Sequence, residues 1–196
     1  MSDVKSAREI AMEKVEKLGE ATEEERLKWK YVPRGEQLAV RHLKEDYNLV
    51  AELSQHPENV RKYIIEGAAN ILIRNISLPK NDAAKANNRR AMDGLKVMKS
   101  DKVNVENVYS QIRNIFKHYA EQGEQQRKQA YESLRAEFEA KIQQAVQQQL
   151  GSLMGTKIDV EKQPQFQQEW HKIEIQLDSQ YLNLLQEYKR ELSDIT

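Results

Sequence analysis

The last thirty residues of the chain carry an apolar stripe that returns every eleven positions for three cycles. Phe166, Leu177 and Tyr188 form one row, Trp170, Tyr181 and Leu192 a second, and Ile173, Leu184 and Ile195 a third. Eleven residues in three turns is about 3.67 residues per turn, close to the ~3.6 of a straight α-helix. The stripe therefore stays on one helix face and suits a straight or faintly right-handed pairing with another helix. Trp170, Leu177, Tyr181, Leu184, Tyr188, Leu192 and Ile195 are the expected protein-interaction residues.

The rest of the chain reads as helix as well. Apolar residues are only 39% of the 196 but fall at helical spacing, and seven Gly and four Pro are too few for a β-sandwich. Ser6 with Glu9 and Thr22 with Glu25 have the spacing of capping boxes. Gly19 is expected to end the first helix and Pro33 the second. A third helix is expected over 35–55, and a fourth, opened by Pro57, to about Ile76. The fourth is apolar around most of its circumference, through Val60, Ile64, Ile65, Ala68, Ala69, Ile71, Leu72, Ile73 and Ile76, so it belongs at the centre of a small bundle. Gly67, Ala68 and Ala69 would let a neighbour approach closely.

Residues 80–102 change character, with seven cations against three carboxylates. From an expected cap at Asn104 a helix can run to Leu150, roughly 70 Å at 1.5 Å per residue. Val105, Val108, Ile112, Phe116 and Tyr119 form its first apolar face, and Tyr131, Leu134, Phe138, Ile142, Val146 and Leu150 its second. Between them, 121–129 holds no large apolar residue and includes Gly123. The helix either breaks there or crosses open solvent. Residues 151–162 form a connector with one short strand-like run, Lys157 to Val160. Pro164 then opens the last helix, making an αα-hairpin. Paired across that connector, Phe166 to Ile173 should lie near Ile142 and Phe138, and Leu184 to Ile195 beside 121–129, without a full apolar partner. The fold class is all-α: an N-terminal bundle of short helices (1–79), a basic connecting helix (80–103) and a long antiparallel, coiled-coil-like hairpin (104–196).

No motif supplies a reaction. The chain has no cysteine, which excludes disulfides, thiolate metal sites and cysteine nucleophiles. Glu169, His171 and Glu174 lie close in sequence, but Glu169 points away from the other two and no second histidine is one turn off, so they read as a solvated surface. No glycine group forms a phosphate-cradling loop. Neither metal nor cofactor is expected, and the chain is expected not to be an enzyme. The balance of 31 basic and 31 acidic residues argues against a general polyanion binder. The one nucleic-acid feature is the basic segment, where Lys85, Arg89, Arg90, Lys96 and Lys99 could contact phosphates from one helix side. No aromatic residue interleaves there for stacking, so a solvated helix is preferred. Trp29 to Pro33 is an aromatic cluster, read as a clasp on the bundle ahead of an anchor for a partner. The N-terminus has no apolar signal-peptide core. The longest apolar-rich stretch, 63–76, is interrupted by Glu66, Asn70, Arg74 and Asn75, so no membrane span and a cytoplasmic location are expected.

Lys5 to Lys14, together with the Trp29 to Arg34 stretch, resembles the start of small uncharacterised bacterial helical proteins, over about the first fifth of the chain. That resemblance implies a bacterial cytoplasmic protein and carries no activity. The long hairpin is similar in period and length to prefoldin-like holdases and peripheral-stalk subunits, without their β-hairpin or C-terminal α/β domain. The expected function is a non-enzymatic interaction or scaffold protein, self-associating as a dimer through helix faces or holding an unknown protein partner. The alternatives are a nucleic-acid- or ribosome-associated factor using 85–102, and a holdase-type chaperone.

Overall fold

Thr22 starts the first described helix with a complete capping box: its hydroxyl accepts from the Glu25 N–H at 3.2 Å, and the Glu25 carboxylate accepts from the Thr22 N–H at 2.8 Å. The computed structural model describes residues 21–45, 47–150 and 159–195. These form six α-helices: α1 (Glu23–Lys44), α2 (Leu49–Ser54), α3 (Glu58–Asn75), α4 (Asp82–Met98), α5 (Lys102–Leu150) and α6 (Pro164–Asp194). A 3-10 turn (Val160–Lys162) precedes α6, and there is no strand among the described residues. The fold is all-α. The helix expected from Ser6 to Gly19 lies outside the described residues, as do Lys157 and Ile158 of the strand-like run. Val160, the end of that run, is in the 3-10 turn.

The chain divides into two compact units, 1–72 and 73–196. In the first, Pro33 does not end a helix. It lies inside α1, which continues through Gly35 to Lys44. A proline in a helix interior forfeits one ladder hydrogen bond and crowds the carbonyl four residues back. Tertiary packing outweighs that cost, because Gly35 and Gly67 bring the backbones of α1 and α3 into contact. A Cβ at Gly35 would fall on the Ile64 carbonyl oxygen and within 2.8 Å of the Ala68 nitrogen, and one at Gly67 on the Val32 carbonyl oxygen. The helix expected over 35–55 is replaced by the end of α1 and the short α2, which Asn48 caps by accepting from the Ala51 N–H at 3.1 Å.

In the second unit α4, α5 and α6 pack together. Asn81 caps α4, and Asp101 rather than Asn104 caps α5, accepting from the Asn104 N–H at 3.0 Å. Helix α5 is continuous through Gly123. The segment 121–129 neither breaks nor crosses open solvent: Gly123 is buried, and a Cβ there would meet the Tyr181 hydroxyl and the Arg127 guanidinium at 3.2 Å each.

The hairpin register matches the sequence expectation near the connector and departs from it further along. Near the connector, Phe166 packs edge-on against Tyr131 and Phe138, with ring centroids 5.4 and 5.5 Å away, in a cluster with Leu134 and Val160. Further along, Tyr181 meets Tyr119 edge-on at 5.1 Å. The part of α6 beyond Tyr181 therefore runs beside the stretch of α5 that precedes Tyr119, which is its first apolar face. Leu185 and Leu192 are accordingly buried, at 2% and 1% exposure. Leu184, assigned to the stripe by the eleven-residue period, is 46% exposed. From Tyr181 onward the inward positions step through Leu185, Tyr188, Leu192 and Ile195 in alternating fours and threes, which is a heptad pattern.

Three lysines hold α6 to the segments that flank α4. Lys189 Nζ donates to the Arg74 and Ile76 carbonyls at 3.0 and 2.8 Å, satisfying acceptors at the C-terminal end of α3. Lys99 Nζ donates to the Ser193 and Ile195 carbonyls at the C-terminal end of α6. Lys80 pairs with the buried Asp178 at 2.5 Å. Burial lowers the pKa of both Lys99 and Lys189 from the usual lysine range.

Candidate functional site

The basic helix α4 and the start of α5 run antiparallel, and their register is fixed by two contacts. The Tyr109 hydroxyl donates to the Met92 carbonyl at 2.6 Å, and Lys96 pairs with Glu106 at 3.0 Å. Asn88 anchors the other end of α4. Its buried amide accepts from the Ser77 N–H at 2.8 Å and donates to the Ser77 carbonyl at 2.6 Å, so a side chain closes on one peptide unit as a strand would.

Between these helices lies a groove of about 520 Å³. Pro79, Met92, Tyr109, Phe116 and Ala120 supply its apolar surface. Lys85, Arg89, Lys96, Arg113 and Lys117 line it with five cations, against the carboxylates of Asp93 and Glu106. The charge is not evenly placed. At one end Glu106 is shared by Lys96 and Arg113, which hold its carboxyl below the ordinary range. At the other, Lys85 pairs with Asp82 at 3.0 Å, while Arg89 and Lys117 meet no carboxylate among the described residues. Burial, with the nearby Asp93 and Glu106 charges, pushes the Tyr109 hydroxyl pKa up, so the tyrosine stays a neutral donor to Met92. The site is a cationic trough with a greasy floor, which fits an amphipathic anionic ligand.

A second polar constellation lies inside the α5–α6 hairpin. Asp178, 4% exposed, pairs with Lys80 and faces Arg127 at 3.8 Å. Arg127 stacks over the Tyr119 ring, 4.2 Å from its centroid, and the Tyr181 hydroxyl meets His118 Nδ1 at 2.9 Å. Burial, reinforced by the Asp178 charge, pushes the Tyr119 pKa up to about 12. Their chemistry is that of a buried ion-pair network.

The basic residues chosen from sequence separate in the structure. Lys85, Arg89 and Lys96 line the groove; Arg90 does not, and Lys99 is turned onto the end of α6. Of the stripe residues, Tyr181 and Leu192 are buried, Trp170, Leu177, Tyr188 and Ile195 are half-buried, and Leu184 faces outward. His171 is exposed, Glu169 pairs with Lys172 at 2.7 Å, and no group of three possible metal ligands occurs among the described residues. Trp29 is 69% exposed, which does not fit a clasp. Among the described residues no helix is long and apolar enough to cross a membrane.

Arg113, Phe116 and Lys117 were not read as site residues, although their spacing from Tyr109, at four, seven and eight positions, is the mark of a shared α5 face. Asp178 was missed too. Its signal was a carboxylate three residues before Tyr181 and seven before Leu185, on the buried side of α6.

The model of a family of unknown function, DUF6657, matches residues 50–194. The chain belongs to DUF6657. The match begins in α2 and runs to the last residue of α6, so it takes in every residue of the groove and of the buried network. An uncharacterised family was the resemblance read from the sequence, but the matched DUF6657 stretch lies beyond the Lys5–Lys14 and Trp29–Arg34 segments that suggested it. No curated protein and no solved structure matches the chain.

Proposed function

We propose that this DUF6657 protein is a non-enzymatic, cytoplasmic interaction protein whose binding surface is the α4–α5 groove. The observation that carries the reading is the trough itself: about 520 Å³, floored by Met92, Tyr109 and Phe116 and flanked by Arg89 and Lys117, cations with no carboxylate partner among the described residues. Cations left unpaired beside apolar surface are arranged for a partner that brings both an acid and a hydrophobic group. The walls are two helices held in register by Tyr109 and Lys96, so the groove is preformed and binding incurs little ordering entropy.

The test is photocrosslinking in cells of the source organism, with a photoreactive phenylalanine analogue in place of Phe116 and, separately, of Ile175 on α6. A discrete protein adduct from the Phe116 position supports the reading. Crosslinking to nothing, or to nucleic acid alone, removes it.

Self-association is the second reading. The half-exposed Ile175 and Leu182, two turns apart on one side of α6, favour it in place of the distal residues that now pack within the chain. An adduct of twice the chain mass from the Ile175 position supports it, and a monomer by sedimentation at tens of micromolar removes it.

A further inference from the structure

We propose that the occupant of the α4–α5 groove is an amphipathic helix of a partner protein whose acidic residues are confined to one end; this rests on the groove being the binding surface. Three features of the trough lead there.

The first is its shape. The lining runs from Lys85 to Lys96 along α4 and from Glu106 to Ala120 along α5. At 1.5 Å per residue these edges are ~16 and ~21 Å long, the length of a helix of three to four turns. The valley between two packed helices accepts a third by ridges-into-grooves packing. A helix also satisfies its own backbone hydrogen bonds, whereas an extended peptide needs a sheet edge, and the described residues contain no strand. Apolar anchors at i, i+3 or i+4 and i+7 would rest on Met92, Tyr109 and Phe116.

The second is the charge gradient along the trough. One end is neutralised from within by the Lys96–Glu106–Arg113 set and carries Asp93 as well. The opposite end carries Arg89 and Lys117 on facing walls, neither of them in an ion pair among the described residues. An acid over Asp93 or Glu106 is repelled, and one between Arg89 and Lys117 is attracted. Only a ligand with acids at one end meets both conditions.

The third weighs against nucleic acid. A strand of phosphates would track the whole trough and meet the Asp93 and Glu106 carboxylates.

The test is selection of a display library of fourteen-residue helical peptides, randomised at every second or third position, on the full-length chain. Enriched sequences should share the apolar spacing and carry Asp or Glu within one terminal turn. Arg89→Glu with Lys117→Glu should weaken the enriched peptide by roughly tenfold or more, with unchanged circular dichroism. Replacing the peptide's acids by Lys should restore binding to that double variant. Failure to enrich, enrichment without an acidic end, an affinity indifferent to the double variant, or displacement of the peptide by duplex RNA would each overturn the proposal. If a protein adduct forms at Phe116 in cells but the library shows no acidic bias, the groove remains a binding surface and this identification of its occupant falls.

Discussion

Arg127 and Asp178 face each other at 3.8 Å inside the α5–α6 hairpin, and each keeps one buried polar atom without a hydrogen-bond partner. The arrangement explains how a long helix passes through 121–129 with no large apolar residue to hold it. Arg127 spreads over Tyr119, Gly123 makes room for Tyr181, and Asp178 is reached by Lys80 from the segment before α4. Sliding α6 by one turn would separate the charges and leave both desolvated, so the network works as a register key.

Removing one member should therefore cost more than removing two. Asp178→Ala leaves the partly buried Arg127 without the carboxylate it faces and is expected to lower the unfolding free energy by about 3 kcal/mol, the low end for a broken buried pair. Asp178→Leu combined with Arg127→Met should recover most of that, because an apolar pair of similar volume avoids the desolvation cost. Urea unfolding of the single and double variants decides it; equal losses in both would mean that the pair is not coupled.

Tyr119 gives the network a signature at high pH. Its pKa, pushed up to about 12, exceeds the ordinary tyrosine value of about 10. The stability associated with the neutral phenol is thus fully present below pH 10 and is lost as pH rises through 12. Phenolate absorbance should show a tyrosine titrating near 12 in the folded chain, absent from Tyr119→Phe. A Tyr119→Phe protein with the same late titration would place that signal elsewhere.

Three glycines should behave in two ways. Adding a methyl group at Gly35 or Gly67 drives a Cβ into backbone atoms, which cannot swing aside, so each Gly→Ala change is expected to destabilise by about 1–3 kcal/mol or more. At Gly123 the nearest atoms are the ends of Arg127 and Tyr181 at 3.2 Å. Small side-chain shifts there compete with the gain of about 1 kcal/mol from alanine's helix propensity, leaving Gly123→Ala near neutral. Thermal unfolding of the three variants separates the cases, and equal shifts in all three would refute the distinction.

What the sequence made legible was periodicity and caps. Thr22–Glu25 is a capping box, α3 is the apolar helix, and Pro164 opens α6 because the information for each lies within a turn or two. Pro33 misled because the contact that keeps it inside a helix, the meeting of Gly35 with Ile64 and of Gly67 with Val32, joins residues some thirty positions apart. The groove was half legible. Lys85, Arg89 and Lys96 stand out as charge, but the floor and the facing Lys117 come from α5, and only the Tyr109–Met92 and Lys96–Glu106 contacts bring them opposite. Lys99 was read as a surface cation like its neighbours because nothing local shows that the end of α6, nearly a hundred residues on, sits beneath it.

The change of period within α6 yields the sharpest discrimination between adjacent residues. A strict eleven-residue repeat places Leu184 in the interface, whereas the structure turns Leu185 inward at 2% exposure and leaves Leu184 at 46%. Leu185→Ala should cost about 2–5 kcal/mol, the transfer and cavity cost of a buried leucine. Leu184→Ala should stay within about 0.5 kcal/mol, as most exposed substitutions do. The leucines are neighbours of identical chemistry and helix propensity, so the difference reports burial alone. If denaturant midpoints fall equally for both, or more for Leu184→Ala, then α6 follows the eleven-residue face, and the heptad packing of its C-terminal half against α5 is wrong.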